Sequence, residues 1–161
     1  MTFQTPFALL GEALATRGYS APTPVQAAVL QPEALGRDLL VSAQTGSGKT
    51  VAFGLAMAGE LLEESGMARA ATAPLALIVA PTRELALQVS RELTWLFADT
   101  RARVATCVGG MDPSKERRAL SHGAHIVVGT PGRLRDHLER GAPDLRALAV
   151  SVLDEVDEML D

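Results

Sequence analysis

Short apolar runs alternate with segments of helical periodicity along almost the whole chain, and this alternation constrains the fold more than any other feature. The predicted strands are the apolar runs at residues 38–43, 75–80, 103–108, 124–129 and 148–153. Strands that are apolar on both faces are typical of a parallel sheet covered on both sides by helices. We therefore predict an α/β domain of three layers with a mostly parallel sheet.

The segments between these runs carry the periodicity of helices. Predicted helices span residues 7–17, 25–35, 49 to about 64, 82–98, 112–122 and 131–140. Pro32 should kink or split the second of them, because a proline ring removes a backbone donor and clashes with the preceding turn. Neither an internal repeat nor a linker divides the 161 residues, so we expect one domain.

The charge balance is mildly acidic. The chain has 15 Lys and Arg against 19 Asp and Glu, a formal net charge of −4. This balance argues against a strongly basic nucleic-acid-binding domain. It is an average, however, and a grip on phosphates through helix N-termini, backbone amides and a few arginines stays compatible with it.

Cysteine, histidine and apolar patterning exclude several other classes of protein. The single cysteine, Cys107, allows no intramolecular disulfide and no Cys-based zinc site, which predicts a reducing, cytoplasmic compartment. His122, His125 and His137 lack a metal-binding spacing, so we expect them at the surface or at helix ends. No apolar run reaches the ~20 residues of a membrane helix, and the N-terminus lacks a signal-peptide pattern, so no membrane association is expected.

A glycine-rich stretch, AQTGSGKT at residues 43–50, joins the first predicted strand to a predicted helix. It matches the phosphate-binding P-loop pattern, with Ala in place of the usual first Gly. Such glycines let backbone N–H groups converge on phosphate oxygens, while a lysine reaches the β- and γ-phosphates and a Thr hydroxyl helps to hold Mg²⁺. The predicted nucleotide-binding residues are Gln44, Thr45, Gly46, Ser47, Gly48, Lys49 and Thr50. The alternative is a βα turn that binds nothing.

An acidic stretch, DEVD at residues 154–157, follows the last predicted strand. In open α/β sheets, ligands bind beyond the carboxyl ends of the strands, so a carboxylate here can share Mg²⁺ with Thr50. We predict that Asp154 coordinates Mg²⁺ and that Glu155 orients and deprotonates an attacking water. Asp157 is expected to make contacts between motifs. The alternative is an acidic first turn of a helix, where Asp and Glu are favoured.

Further motifs lie between and before these two: GYSAPTPVQ at 18–26, PTREL at 81–85, GG at 109–110 and TPGR at 130–133. With the P-loop and DEVD, they closely resemble the Q motif, motif Ia, the GG motif and motif Ib of the first RecA-like domain of DEAD-box RNA helicases. The motifs occur in the family's order, and the resemblance covers essentially the whole chain. It implies a RecA-like P-loop NTPase domain, with a Q-motif region at 1–36 and a P-loop core at 37–161.

The resemblance implies ATP and Mg²⁺ as cofactors and ATP hydrolysis as the reaction, with Lys49, Asp154 and Glu155 as the catalytic residues. Gln26 would read the adenine edge through its amide, the geometry with which amides recognise adenine elsewhere. Tyr19 would offer a face to the base. The family adds an upstream aromatic, and either Phe3 or Phe7 fits that role. A helix-surface amide for Gln26 and a core position for Tyr19 are the alternatives.

The resemblance also implies contacts to one RNA strand, through its backbone and 2′-hydroxyls and with little base specificity. Thr82 and Thr130 are expected at helix N-caps, where free N–H groups suit phosphate oxygens. The implied RNA-binding residues are Pro81, Thr82, Arg83, Gly109, Gly110, Thr130, Pro131, Gly132 and Arg133.

Two departures qualify the resemblance. Val156 replaces the family's Ala, and we expect hydrolysis to survive while coupling to neighbouring motifs changes. The family's Ser-Ala-Thr motif and second RecA-like domain are expected beyond Asp161, and that domain would complete the ATP and RNA sites in cis. A DNA-directed motor and an ATP-dependent RNA clamp remain as alternative functions.

Overall fold

A computed structural model describes residues 3–44 and 46–160 of the chain. Its α-helices are α1 (Ala8–Thr16), α2 (Pro24–Val29), α3 (Lys49–Leu61), α4 (Arg83–Leu96), α5 (Pro113–Ser121), α6 (Pro131–Glu139) and α7 (Val156–Met159). Its strands are β1 (Ala76–Val79), β2 (Val104–Cys107), β3 (Ile126–Gly129) and β4 (Val150–Leu153). Two 3₁₀ turns span Pro32–Ala34 and Ala98–Thr100.

The four strands form one parallel sheet in the order β2-β3-β1-β4. All of β3 is buried, as expected for a continuous apolar strand with neighbours on both sides. Its Ile126 and Val128 belong to the main hydrophobic core, while Val127 belongs to a second, smaller core. Alternate side chains therefore enter separate apolar layers, which confirms the predicted α/β class, the three layers and the parallel sheet.

Helices α3 and α4 pack closely on one side of the sheet. A Cβ at Gly54 would lie 2.8 Å from Cδ2 of Leu96, and a side chain here would force the two helices apart. This packing places the N-termini of both helices near the carboxyl end of the sheet, where the candidate site lies.

The predicted strand at residues 38–43 is wrong. In the described part of the chain this segment has no strand partner, and Leu40 is 96% exposed. A parallel strand needs a neighbour for its backbone groups as well as apolar side chains. The apolar run provides the side chains, but β4 remains an edge strand among the described residues, so the sheet has four strands rather than five.

Helix boundaries follow the predictions within a few residues. The predicted helix at 25–35 ends at Val29, and a separate 3₁₀ turn begins at Pro32, which confirms the split. Helix α3 ends at Leu61, earlier than predicted, and the short α7, with Asp157 and Glu158 in its first turn, is the helix that the alternative interpretation of DEVD allowed. None of the helices described is long and apolar enough to cross a membrane.

The expectation of a surface or helix-end position holds for His122 and for His137, which lies in the last turn of α6, but not for His125. His122 is exposed at the C-cap of α5, whereas His125 is 3% and His137 1% exposed. Each buried ring has a specific hydrogen-bond partner, and this compensates for the loss of water around a polar group.

Candidate functional site

The glycine-rich loop is shaped by two positive backbone angles. Gly46 has φ +82° and Gly48, the N-cap of α3, has φ +77°. Side chains are disfavoured in this conformation, and a Cβ at Gly48 would also lie 2.2 Å from Nε2 of Gln26. Ser47 N–H donates to the carbonyl of Gln44 at 3.1 Å, closing the turn, while Thr45 lies outside the described residues.

Two features of this loop suit a phosphate. The hydroxyl of Ser47 is buried and has no partner among the described residues, so it is available to an incoming oxygen. The loop also leads directly into the N-terminus of α3, whose first N–H groups point out of the helix. The residues present therefore fit the anion that the sequence motif predicts.

Lys49 meets the acidic stretch across 106 residues of sequence. Its Nζ lies 2.8 Å from Glu155 Oε1 and 3.4 Å from Asp154 Oδ1. Burial acts to lower the pKa of Lys49, but the hydrogen bond and the charges of the two carboxylates outweigh it, so the pKa is raised above 10.5. The structure thus brings together the three residues predicted to be catalytic.

The ends of β4 and β1 hold the acidic stretch in place. Asp154 N–H donates to the carbonyl of Val79 at 2.9 Å, and the Asp154 side chain is buried. Glu155 adopts the left-handed conformation, φ 51° and ψ 50°, which turns the chain into α7. The side chain of Asp157 is exposed, and it makes no hydrogen bond among the described residues.

The oxygen groups in this region suit a hard divalent cation such as Mg²⁺. Asp154 provides a carboxylate at the sheet edge, and Thr50 lies in the first turn of α3. Glu92 was missed by sequence analysis. Burial raises its pKa, although the neighbouring Thr50 and Gln88 side chains act in the opposite direction, and the charge of Asp154 raises it further. Only helical spacing along α4, combined with the packing of α3, could have identified it.

Gln26 is fully buried and joins the Q-motif turn to the P-loop. Its Nε2 donates to the carbonyl of Gly48 at 3.1 Å, and its Oε1 accepts from Thr23 N–H at 3.0 Å in a capping box. The helix-surface alternative for Gln26 is therefore wrong. The side chain contacts the P-loop backbone, and recognition of adenine stays a prediction.

Tyr19 stacks on Trp95 of α4, with ring centroids 5.8 Å apart and an interplanar angle of 28°. The Arg17 guanidinium lies 4.9 Å from the centroid of the same Trp95 ring. Phe3 is 5% exposed in the main core, and Phe7 packs against that core from the N-cap of α1. In this structure the Tyr19 ring is thus engaged with a protein aromatic group.

The predicted RNA-contacting motifs converge at the carboxyl ends of β1, β2 and β3. Thr82 caps α4 and accepts from Leu85 N–H at 3.2 Å, while Thr130 occupies the N-cap of α6 without a side-chain cap bond. Both N-cap positions are confirmed. Pro131 and Gly132, which follow Thr130, are exposed, and Pro81, which precedes Thr82, is half-buried.

The two motif arginines differ in their surroundings. Arg83 is exposed and lies beside the GG turn, where a Cβ on Gly110 would be 3.2 Å from its guanidinium. Arg133 is half-buried, and its guanidinium lies 3.4 Å from the carboxylate of buried Glu116. Gly109 and Gly110 are exposed between them in the loop after β2. Sequence analysis missed Glu116, because nothing in an exposed-looking helix pattern marks a buried carboxylate.

The sequence of this chain is similar to those of known helicases. The profile of the DEAD/DEAH box helicase family matches residues 23–161. The chain is 43% identical over 152 residues to the DEAD-box ATP-dependent RNA helicase CshA of Bacillus licheniformis, covering 94% of this chain and 30% of that protein. It is 47% identical over 165 residues to the ATP-dependent RNA helicase DeaD of Escherichia coli K12, covering 98% of this chain and 25% of that protein.

Solved structures agree with these relatives. The RNA helicase Prp28 from Chaetomium thermophilum, bound to ADP, matches with a TM-score of 0.85 and 36% identity over 96% of this chain and 37% of that one. Yeast Prp28, a DEAD-box splicing factor, matches with a TM-score of 0.81 and 33% identity. The RecA-like fold implied by the motifs is thereby confirmed, and the chain belongs to the DEAD/DEAH box helicase family.

Proposed function

We propose that this chain is the N-terminal RecA-like, ATP-binding domain of an ATP-dependent RNA helicase. The observation that carries the proposal is the contact of Lys49 with Asp154 and Glu155 at the sheet edge, beside a P-loop whose buried Ser47 hydroxyl has no partner among the described residues. The chain spans about a quarter to a third of the length of the curated relatives that it matches. The activity therefore belongs to a longer protein, to which this domain contributes the nucleotide site and half of the RNA site.

Each step of nucleotide binding and hydrolysis has a candidate residue in this chain. The P-loop amides and the Ser47 hydroxyl bind phosphate oxygens, and Lys49 leaves the two carboxylates to neutralise phosphate charge. Thr50 and Asp154 would hold Mg²⁺, which supplies charge stabilisation on the phosphates when bound. Once released from Lys49, Glu155 accepts a proton from the attacking water.

Gln26 gives the site its preference for adenine. Its amide already contacts the P-loop backbone at Gly48, so binding of adenine at Gln26 would be coupled to the shape of the phosphate loop through one side chain. An amide donates and accepts side by side, which matches the N6/N7 edge of adenine and not that of guanine.

The RNA strand binds across the ends of β1, β2 and β3. Helix N-termini at Thr82 and Thr130 offer backbone N–H groups to phosphates, and Arg83 adds a charge-assisted contact. These are backbone contacts, so little base specificity follows. A second RecA-like domain in cis completes both sites, and closure of the two domains on ATP and RNA bends the strand and separates a short duplex.

The proposal is tested by comparing this chain with the longer protein that contains it. The 161-residue chain should bind ADP weakly and show negligible RNA-stimulated hydrolysis, whereas the longer protein should hydrolyse ATP faster with RNA than with DNA of the same sequence. Equal stimulation by DNA would favour a DNA-directed motor. Robust unwinding by the 161-residue chain alone would refute the division of labour between two domains.

The catalytic assignment is tested by Glu155→Gln in the longer protein. Loss of a general base should lower RNA-stimulated turnover by roughly 10²–10⁴-fold. The matched control is Glu158→Gln, which removes an exposed carboxylate of the neighbouring α7 and should leave turnover unchanged. Unchanged turnover in Glu155→Gln would point instead to a nucleotide-dependent clamp.

A further inference from the structure

Glu116 is a buried carboxylate that none of the steps above uses. It lies on α5 and is 4% exposed. Its Oε2 accepts from Val108 N–H at 2.8 Å, and its Oε1 accepts from His137 Nε2 at 2.8 Å. The Arg133 guanidinium lies 3.4 Å from the same Oε1. A buried charge is tolerated only with such a set of donors.

The donors around Glu116 come from two separate segments of the proposed RNA face. Val108 is the residue before the exposed Gly109–Gly110 turn, so its N–H fixes where that turn begins. Arg133 and His137 lie on α6, whose N-terminus follows Thr130. One carboxylate therefore links the GG turn to the helix that carries the TPGR motif, across residues that are far apart in sequence.

The same side chains could be considered a metal site, because ligand atoms of Cys107, Glu116 and His137 all lie within 4.8 Å of one another. Two observations weigh against it. Burial, together with the charge of Glu116, raises the pKa of the Cys107 thiol to about 12, although Arg133 acts in the opposite direction, so a metal ion would have to displace the thiol proton. The Glu116 carboxylate also has an N–H donor at each oxygen and a guanidinium beside it.

We propose that Glu116 is a positioning residue of the RNA site, which holds the GG turn and the start of α6 at a set separation. This inference rests on the proposed function. The GG turn and the start of α6 can contact one RNA strand at the same time only if their separation matches the spacing of the strand's phosphates. The loss of Glu116 should therefore weaken RNA binding and leave nucleotide binding unchanged.

The test uses two variants with different hydrogen-bonding capacity. Glu116→Met keeps the length of the side chain but removes both acceptors, leaving Val108 N–H buried without a partner. Glu116→Gln retains an oxygen for Val108 N–H, and the His137 ring, whose Nδ1 is buried and has no partner in the described chain, is able to switch tautomer and accept from the amide. Glu139→Gln is the control, because Glu139 is 62% exposed in a pair with Arg135 on α6.

Hydrogen exchange of the 161-residue chain and its binding to a single-stranded uridine oligonucleotide and to ADP are measured for each form. In Glu116→Met we expect exchange at Val108–Gly110 to rise about tenfold relative to α3, and RNA affinity to fall at least about fivefold, with ADP affinity unchanged. In Glu116→Gln and Glu139→Gln, the exchange rate at Val108–Gly110 and the RNA affinity should stay within about twofold of wild type.

Each other outcome overturns the inference in a recognisable way. Equal acceleration of exchange along the whole chain means that Glu116 serves only general stability. Faster exchange at Val108–Gly110 with unchanged RNA affinity means that the turn need not be held. A melting temperature that Zn²⁺ raises in wild type but not in Cys107→Ser supports the metal site instead. If wild type binds ADP but no RNA, this domain has no RNA contacts of its own for Glu116 to position, and the inference fails while the nucleotide-binding part of the proposed function stands.

Discussion

Glu155 combines an unfavourable backbone conformation with the proposed catalytic role. Its φ of 51° is in the left-handed region, which costs a residue other than glycine of order 1–3 kcal/mol. The conformation turns the chain sharply after β4, so that Glu155 and Asp154 both reach Lys49. The ion pair between Glu155 and Lys49, at 2.8 Å, offsets part of this cost locally.

Gly48 gives a residue-scale prediction with a built-in control. Gly48→Ala places a Cβ 2.2 Å from Gln26 Nε2 at a positive φ, so we expect a loss of about 1–3 kcal/mol in the free energy of unfolding and weakened ADP binding. Gly59→Ala, in the same helix but with open space around it, should raise stability by about 0.5–1 kcal/mol. Denaturant titration measures the free energy of unfolding of each variant, and a fluorescent ADP analogue measures its nucleotide affinity. Equal effects at the two glycines would contradict the Gln26 contact.

At the scale of elements, His125 connects three segments at the amino end of the sheet. Its Nδ1 accepts from Arg103 N–H at 3.0 Å just before β2, and its Nε2 donates to the carbonyl of Arg69 at 2.9 Å. Burial and the charge of Arg103 lower the pKa of His125 below 6.5, although the Arg69 carbonyl acts in the opposite direction. The neutral ring therefore belongs to the folded state.

This linkage predicts a pH dependence of stability. Because the folded pKa is lowered, the unfolded chain binds the proton first, and stability falls as the pH drops from about 6.5 towards the folded pKa. The difference in unfolding free energy between wild type and His125→Gln should shrink over this range and level off below it. A difference that stays constant from pH 8 to pH 5 would rule out the titration of His125 as its source.

The segment at 38–43 gives a second prediction for elements. With Leu40 exposed, Leu40→Ser should change the free energy of unfolding by less than about 0.5 kcal/mol. Leu93→Ala, in the closed core between α3 and α4, should cost about 2–5 kcal/mol. Chemical denaturation of the 161-residue chain compares the two. A cost above about 2 kcal/mol at Leu40 would restore the strand predicted from sequence.

For the whole molecule, RNA binding depends on where the charged residues lie more than on the net charge. The chain has a net charge of −4, Arg133 is paired with Glu116, and Lys49 lies among carboxylates, so two of the basic residues near the proposed sites already face a negative partner. The proposed grip consists mainly of helix N-termini and backbone amides, and these need no excess of basic residues.

The salt dependence of RNA binding follows from this distribution. Each phosphate neutralised on a single strand contributes about −0.7 to the slope of log affinity against log salt, so we expect a slope shallower than about −2. Fluorescence anisotropy of a uridine oligonucleotide between low and physiological salt gives this slope. A much steeper one would show that the RNA lies over a basic surface other than the three strand ends.

Much of the site could be predicted because its determinants are short stretches of chain. The turn of the P-loop, the N-caps at Thr82 and Thr130 and the split at Pro32 all depend on neighbours within one helical turn. The predicted strand at 38–43 was wrong because a strand also needs a neighbouring strand, which an apolar run does not specify, and the described residues provide none. The prediction of a surface or helix-end position for His125 was also wrong, because its hydrogen-bond partners lie 22 and 56 residues away in the sequence.

The sequence by itself determined the α/β class, the order of motifs and the chemistry available at each strand end, because periodicity and local hydrogen bonding act over a few residues. Only the tertiary structure decided which groups meet. It paired Lys49 with Asp154 and Glu155, placed Gln26 against the P-loop backbone and buried Glu116 between the GG turn and α6. Such contacts depend on which strands become neighbours and how closely helices pack, and no local pattern encodes either.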